Sequence, residues 1–236
     1  MTASRKPAAP HSAASQPPAA SAGPATRPSG PGRPKDLGKR AAILEAAKRM
    51  FTQHGFDGAS MDQIAAEAGV SKLTVYSHFG DKDSLFAEAV KSHCELALPS
   101  SLFEPSPTTP LRERLMTIAQ AFYGMISAPD AVAGHRMLSS PQMAASPLTR
   151  IFWEAGPMRV QADFPALLER RVAAGELAIA DVPRDASQFF TLLKGEPHAC
   201  LVFGCGQPDD AEIQAHLAAC VDLFLRAFAP AAGRGA

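Results

Sequence analysis

The stretch SMDQIAAEAGVSKLTVYSHFGDK, residues 60–82, decides the fold. Ser60 followed by Gln63 has the pattern of a capping box, in which each side chain satisfies the other's backbone amide where a helix begins. Met61, Ile64, Ala65 and Ala68 then recur at helical spacing and make one apolar stripe. Gly69 suits the left-handed residue that closes such a helix. Ser71 can cap a second helix that runs to about Phe79. The pattern predicts a helix-turn-helix over 60–79.

At about 100° per residue, Val75 and Phe79 share the core side of the second helix, while Leu73 and Ser77 point away from it. Thr74 and Tyr76 sit on the shoulders. A merely solvated face would carry Lys or Glu; this one offers a leucine, two hydroxyls and an aromatic ring. Such a surface suits DNA base edges, with Leu73 against a thymine methyl and Thr74 or Tyr76 on bases or phosphates. Lys72, His78 and Lys82 flank it and suit backbone phosphates, and Ser60 and Ser77 complete the face. The alternative is a small amphipathic helix pair in which Leu73 is simply buried.

The strings ILEAA at 43–47, MFTQHGF at 50–56, MDQIAAEAGVS at 61–71 and TVYSHFGDK at 74–82 together resemble the DNA-binding domain of the TetR family. The resemblance covers about Gly38 to Val90. It implies a dimeric regulator of transcription that binds double-stranded operator DNA. One departure stands out: many members have glycine where this chain has Leu73, so no relative's operator preference transfers. YSHFGDK and the LLKGE at 192–196 also resemble the AefR-like branch.

The chain of 236 residues has zero formal net charge, unevenly placed. Residues 1–83 hold 11 Lys/Arg against 7 Asp/Glu, and residues 84–236 hold 12 against 16. A positive front half fits one that meets phosphate. No apolar run is long enough to span a bilayer and no signal-peptide pattern follows Met1, so a cytoplasmic protein without a membrane partner is expected. The four cysteines, at 94, 200, 205 and 220, lack regular spacing and read as free thiols. His198, Cys200 and Cys205 lack a fourth ligand at metal-finger spacing. No metal, cofactor or catalytic constellation is predicted, and the chain is not expected to be an enzyme.

Residues 1–36 are rich in Ala, Pro, Ser and Gly and are predicted to be a disordered tail. Arg33, Lys35, Lys39 and Arg40 cluster where it meets the first helix, suited to phosphate or the minor groove. The first helix, about Leu37 to His54, supports the helix pair. A fourth, capped by Asp81 and reaching about Leu98, links a head over 37–97 to a body over 98–229; residues 230–236 read as a flexible tail.

In the body, Thr109-Pro110 is expected to start a long helix with proline at its first position. Pro129, Pro141, Pro147, Pro157 and Pro165 should chop the region beyond that helix into short or kinked helices. Strand patterns are nearly absent, so the fold class is all-α: a three-helix helix-turn-helix head and a larger helical body for ligand binding and dimerisation. The segment 129–175 is apolar and irregular, material for an adaptable cavity or an ordinary core. The resemblance implies a cavity for a small apolar inducer, and Phe122, Met125, His135, Met137, Phe152, Trp153, Met158, Phe164 and Phe189 are its candidate lining. Arg136 and Arg159 are further polar candidates.

The last two helices, about 183–228, should break at Pro197 and restart at Pro208. In the second, Ile213, Leu217, Cys220, Val221, Phe224, Leu225 and Phe228 cover a wider arc than one packed face needs. Together with the resemblance, that arc suggests a homodimer through a four-helix interface, with an internal hairpin as the alternative. A DNA-binding regulator without a small ligand, controlled by a protein partner or acting architecturally, also remains open.

Overall fold

The computed structural model describes residues 36–105 and 108–230, so the expectations for nearly all of the first 36 residues, with Arg33 and Lys35, and for 231–236 lie outside the described residues. Among the described residues there are helices and turns and no strand, and no helix is long and apolar enough to cross a membrane.

The head is built by caps. Helix α1 (Leu37–Gly58) starts where the Asp36 carboxylate accepts from the Gly38 and Lys39 amides, and its regular geometry is interrupted at Gly55. Helix α2 (Met61–Glu67) has the capping box: Ser60 Oγ accepts from the Gln63 amide at 3.2 Å, and Gln63 Oε1 accepts from the Ser60 amide at 2.9 Å. Gly69 takes φ 65°, a left-handed turn residue that glycine adopts without strain. Ser71 caps α3 (Lys72–Phe79). Asp81 caps α4 (Lys82–Ala97) by accepting from the Ser84 amide at 2.7 Å, the bond that holds its carboxyl below the usual range.

Ile43, Leu44, Ala47, Ile64, Ala65, Val75, Phe79, Leu85 and Ala89 close one core inside the head. Helix α4 serves two cores. Leu85 and Ala89 belong to the head, whereas Cys94, one turn on, and Leu98, just past the helix, belong to the body.

The body holds α5 (Leu111–Ser127), α6 (Pro129–Leu138), α7 (Pro147–Ala155), α8 (Pro157–Val160), α9 (Phe164–Ala173), α10 (Val182–Phe203) and α11 (Asp210–Ala227). The prolines start helices rather than kink them: Pro129, Pro147, Pro157 and Pro165 each stand in a first turn, where the missing N–H has no helical partner to lose. Two starts differ from expectation. Pro110 lies just outside α5, and α11 begins after Pro208, with Asp209 and Glu212 forming its capping box.

Phe164 and Phe189, expected in the cavity, are instead fully buried in a cluster of rings. Phe164 stacks on Phe189 at 5.0 Å, Phe189 meets Phe224 edge-on at 5.0 Å, and Phe190 meets Phe122 at 4.8 Å. Leu115, Ile118, Leu168, Leu193 and Leu217 surround them. The apolar arc of α11 is likewise spent largely within the chain: Leu217, Cys220, Val221 and Phe224 are buried and Ile213, Leu225 and Phe228 partly so. On the last two helices the large exposed hydrophobics are Leu192, Phe203 and Leu223.

Helix α10 breaks where expected, with a specific repair. Gly195 has φ 49° inside the helix, and a Cβ there would stand 2.5 Å from the His216 ring on α11. Pro197 has no N–H for the Leu193 carbonyl one turn back. His216 Nε2 takes that carbonyl instead, at 3.2 Å. The break thus admits a side chain of α11 and locks the two helices together.

Candidate functional site

Two places stand apart from the packed cores: the outward face of α3 and a cavity where head meets body.

On α3, Val75 and Phe79 are buried while Leu73 is 78 % and Tyr76 41 % exposed. The capped turn fixes this orientation, since α3 has only its inner stripe to pack on α1, α2 and α4. Lys72 Nζ lies 2.9 Å from Asp62 and 6.0 Å from the Tyr76 ring. That pair is on the surface, where an ion pair contributes little and a phosphate can replace it. The Asp62 hydrogen bond raises the Lys72 pKa, so this lysine stays charged. Lys82 Nζ stands 4.3 Å over the Phe56 ring at the start of α4. Ser60 is exposed at the start of α2, its hydroxyl also donating to Gln63.

Several expected contacts are engaged inside the head. Ser77 Oγ donates back to the Thr74 carbonyl at 2.8 Å, and Thr74 Oγ1 shares a hydrogen bond with Ser71 Oγ at 2.8 Å. His78 is half-buried with Nδ1 covered. Lys39 lies 3.8 Å from Asp36. Arg40 is the most engaged: its guanidinium pairs with Glu88 on α4 and lies 5.2 Å over the Phe79 ring, tying α1, α3 and α4 together.

The cavity, about 280 Å³, takes its walls from α1, α4, α5, α6, α7, α8 and α10. Of the nine expected lining residues it gathers Phe122, Met125, His135, Met137 and Phe152. Trp153 and Met158 are corrections: they face solvent, 54 % and 56 % exposed, because Phe152 takes the inward stripe of α7 and the next residue points a quarter-turn away. Arg136 is not a cavity group either. It donates to the Leu201 and Val202 carbonyls at the end of α10, satisfying acceptors a helix terminus leaves free. Arg159 pairs with Glu95 at 3.3 Å on the surface.

The sequence reading missed the head's share of this cavity, namely Phe51 and Thr52 of α1 and Phe86, Val90 and His93 of α4, and it missed Lys194 of α10. A signal for Lys194 existed. Ala186, Phe190, Lys194 and His198 recur every four residues, which sets a lysine and a histidine on an otherwise buried stripe. In the structure His135 packs edge-on against both Phe152, at 5.8 Å, and His198, at 5.2 Å. Burial, then the nearby His198 and Lys194, push the His135 pKa down to about 4. Burial also lowers Lys194.

The four cysteines are free. Burial pushes the Cys94 thiol up to about 11, an unreactive thiol at neutral pH. Among the described residues no His, Cys, Asp or Glu cluster is arranged to hold a metal.

Known proteins match both halves. Residues 43–89 match the model of bacterial regulatory proteins of the tetR family, and residues 113–230 match that of the AefR-like transcriptional repressor C-terminal domain. The transcriptional activator FasR of Mycolicibacterium smegmatis is 32% identical over 130 residues, which are 50% of this chain and 58% of that protein. The chain thus spans under two thirds of that relative's length. A TetR-family regulator from Mesorhizobium loti superposes with a TM-score of 0.69 at 27% identity, covering 84% of this chain and 99% of that one. The flavonoid-responsive regulator FrrA superposes with a TM-score of 0.65 at 31% identity, covering 82% of this chain and 98% of that one. With a capped helix-turn-helix in front, an all-helical body behind and family matches over both, the chain belongs to the TetR family of DNA-binding transcriptional regulators.

Proposed function

We propose that this regulator is a repressor that binds a near-palindromic operator as a homodimer, acts in the cytoplasm and is released by a small, mainly apolar ligand. The observation that carries the reading is the composition of the cavity wall. Helices α1 and α4 line it with Phe51, Thr52, Phe86, Val90 and His93, and the same two helices form the head core on which α3 rests. Met137 of α6 reaches the break in α1, with its sulfur 3.8 Å from where a Cβ on Gly55 would stand. A ligand that fits the cavity better when α4 is displaced favours a conformer with wrongly spaced heads, and DNA, by reciprocity, weakens the ligand. A regulator without a small ligand would need a filled interior, which this cavity argues against.

In the operator complex, α3 of each subunit lies in the major groove, with half-sites about 34 Å apart. Leu73 and Tyr76 face base edges, Lys72, Lys82 and Lys39 face phosphates, and Ser60, Thr74, Ser77 and His78 flank them. Arg40 braces the head. The partner is held through the last two helices, about 183–228, where Leu192, Phe203 and Leu223 are exposed.

Selection of bound genomic fragments by the purified full chain tests the reading, followed by titration at two salt concentrations. The expected result is a short inverted repeat bound by one dimer with steep salt dependence. Enrichment of no sequence would overturn it.

A further inference from the structure

The cavity has one charged feature that its apolar walls do not explain. Lys194 of α10 reaches it half-buried, and among the described residues no carboxylate lies within ion-pair distance of its ammonium. The wall carries two other charged groups, and Asp130 is exposed. Lys48 pairs with Glu45 at 2.8 Å. Asp130, at the start of α6, accepts from the Ala131 amide at 2.9 Å.

Imidazole rings stand near the lysine. His93 Nε2 and His135 Nδ1, both on cavity-lining residues, are covered and have no hydrogen-bond partner. His198, behind His135, has an unpartnered Nε2 as well. A half-buried ammonium without a protein partner is a group that a ligand can satisfy. The walls around them are Phe122, Met125, Ile126 and Phe152.

We propose that the cavity takes a compact organic anion, an apolar body bearing a single carboxylate whose oxygens are received by the Lys194 ammonium, with the His135 ring beside it. This inference rests on the ligand-responsive reading above and names the chemistry of that ligand. The cavity, about 280 Å³, suits a compact ligand. Recognition is asymmetric, because the unpaired charge of Lys194 disfavours a cation beside it and leaves a neutral isostere with the ammonium unsatisfied.

Two probe series on the full chain without DNA test it by calorimetry: octanoate, octan-1-ol and octylamine, and 3-phenylpropionate with its alcohol and its amine. The two skeletons separate aliphatic from aromatic sources of the carboxylate. In at least one series the acid should bind about 10- to 100-fold more tightly than its alcohol, the range of one hydrogen bond to a charged group, and the amine should not bind. Lys194→Met should remove that preference while the alcohol still binds, and Lys194→Arg should keep it. Equal binding of acid and alcohol, or a preference that survives Lys194→Met, would overturn the anion while leaving the cavity a ligand site. Binding by none of the six would overturn both. Should Lys194→Met fail to fold, the wild-type ratio of acid to alcohol still decides.

Discussion

Helices α3 and α10 break the same rule in opposite directions. The first turns a leucine and a tyrosine out to water, with Leu73 78 % exposed. The second turns a lysine and a histidine inward, setting Lys194 on the cavity wall and burying His198. In the packed cores the chain obeys its own pattern, with apolar stripes turned inward. Sequences that fold to one structure are consistent across levels, and the exceptions collect where function is built. Apolar groups out on a short rigid helix make a reading surface; polar groups in on a broken helix make a binding site.

The contrast is sharpest against a position that obeys the rule. Phe189 is fully buried between Phe164 and Phe224, so Phe189→Ala should cost about 3–5 kcal/mol of stability, read as a large fall in melting temperature. On α3 the prediction reverses. Leu73→Ala and Tyr76→Phe should leave stability within about 0.5 kcal/mol, since neither side chain is packed. Each should nonetheless cost about 1–3 kcal/mol of discrimination at the base pair it meets, measured by competition between operator variants. A loss of stability at Leu73 as large as that at Phe189 would erase the distinction.

Lys82→Ala refines the same face. Its ammonium lies over Phe56 at the mouth of α4 rather than over the α3 surface. Binding should therefore weaken about equally on all DNA sequences, and the salt slope should fall by about one. A change confined to one operator position would move Lys82 among the base-reading residues.

How much of this was legible depended on the range of the interactions. The head could be read because its determinants are local: Ser60 with Gln63, Ser71 with Thr74, and Asp81 with Ser84 each act within three residues. The break in α10 was legible from Pro197, but its repair was not, because His216 lies 23 residues beyond the carbonyl it bonds. The cavity was half legible for the same reason. Phe122 and Met125 came from the apolar stripe of a long body helix and His135, Met137 and Phe152 from a segment whose irregularity shows in the sequence, whereas Phe86 and His93 lie on a helix whose pattern looked fully used by the head. Trp153 misled because aromatic character was read without its phase on α7. On α11 the apolar arc was legible, but not which part of it another helix of the same chain covers.

The smallest predicted effect tests the inward-facing polar groups by pH. His135 titrates near 4 in the folded chain, against about 6.5 when unfolded. Burial also lowers His198, assisted by Lys194 and opposed by a hydrogen bond with the Ile126 backbone. Between pH 6.5 and 4 the unfolded chain therefore binds protons that the folded chain refuses, so stability falls as pH falls through this window and is fully present above it. Carboxylates with depressed values, Asp81 and Asp222, act in the same direction but at lower pH. His135→Gln keeps a polar group of similar reach and removes the titration, so the decline from pH 6.5 to 4 should become shallower in melting curves while the fall at lower pH remains. An unchanged slope would show that the folded chain protonates His135 as readily as water does, and the inward-facing polar groups of α10 and α6 would then be wetter than their burial implies.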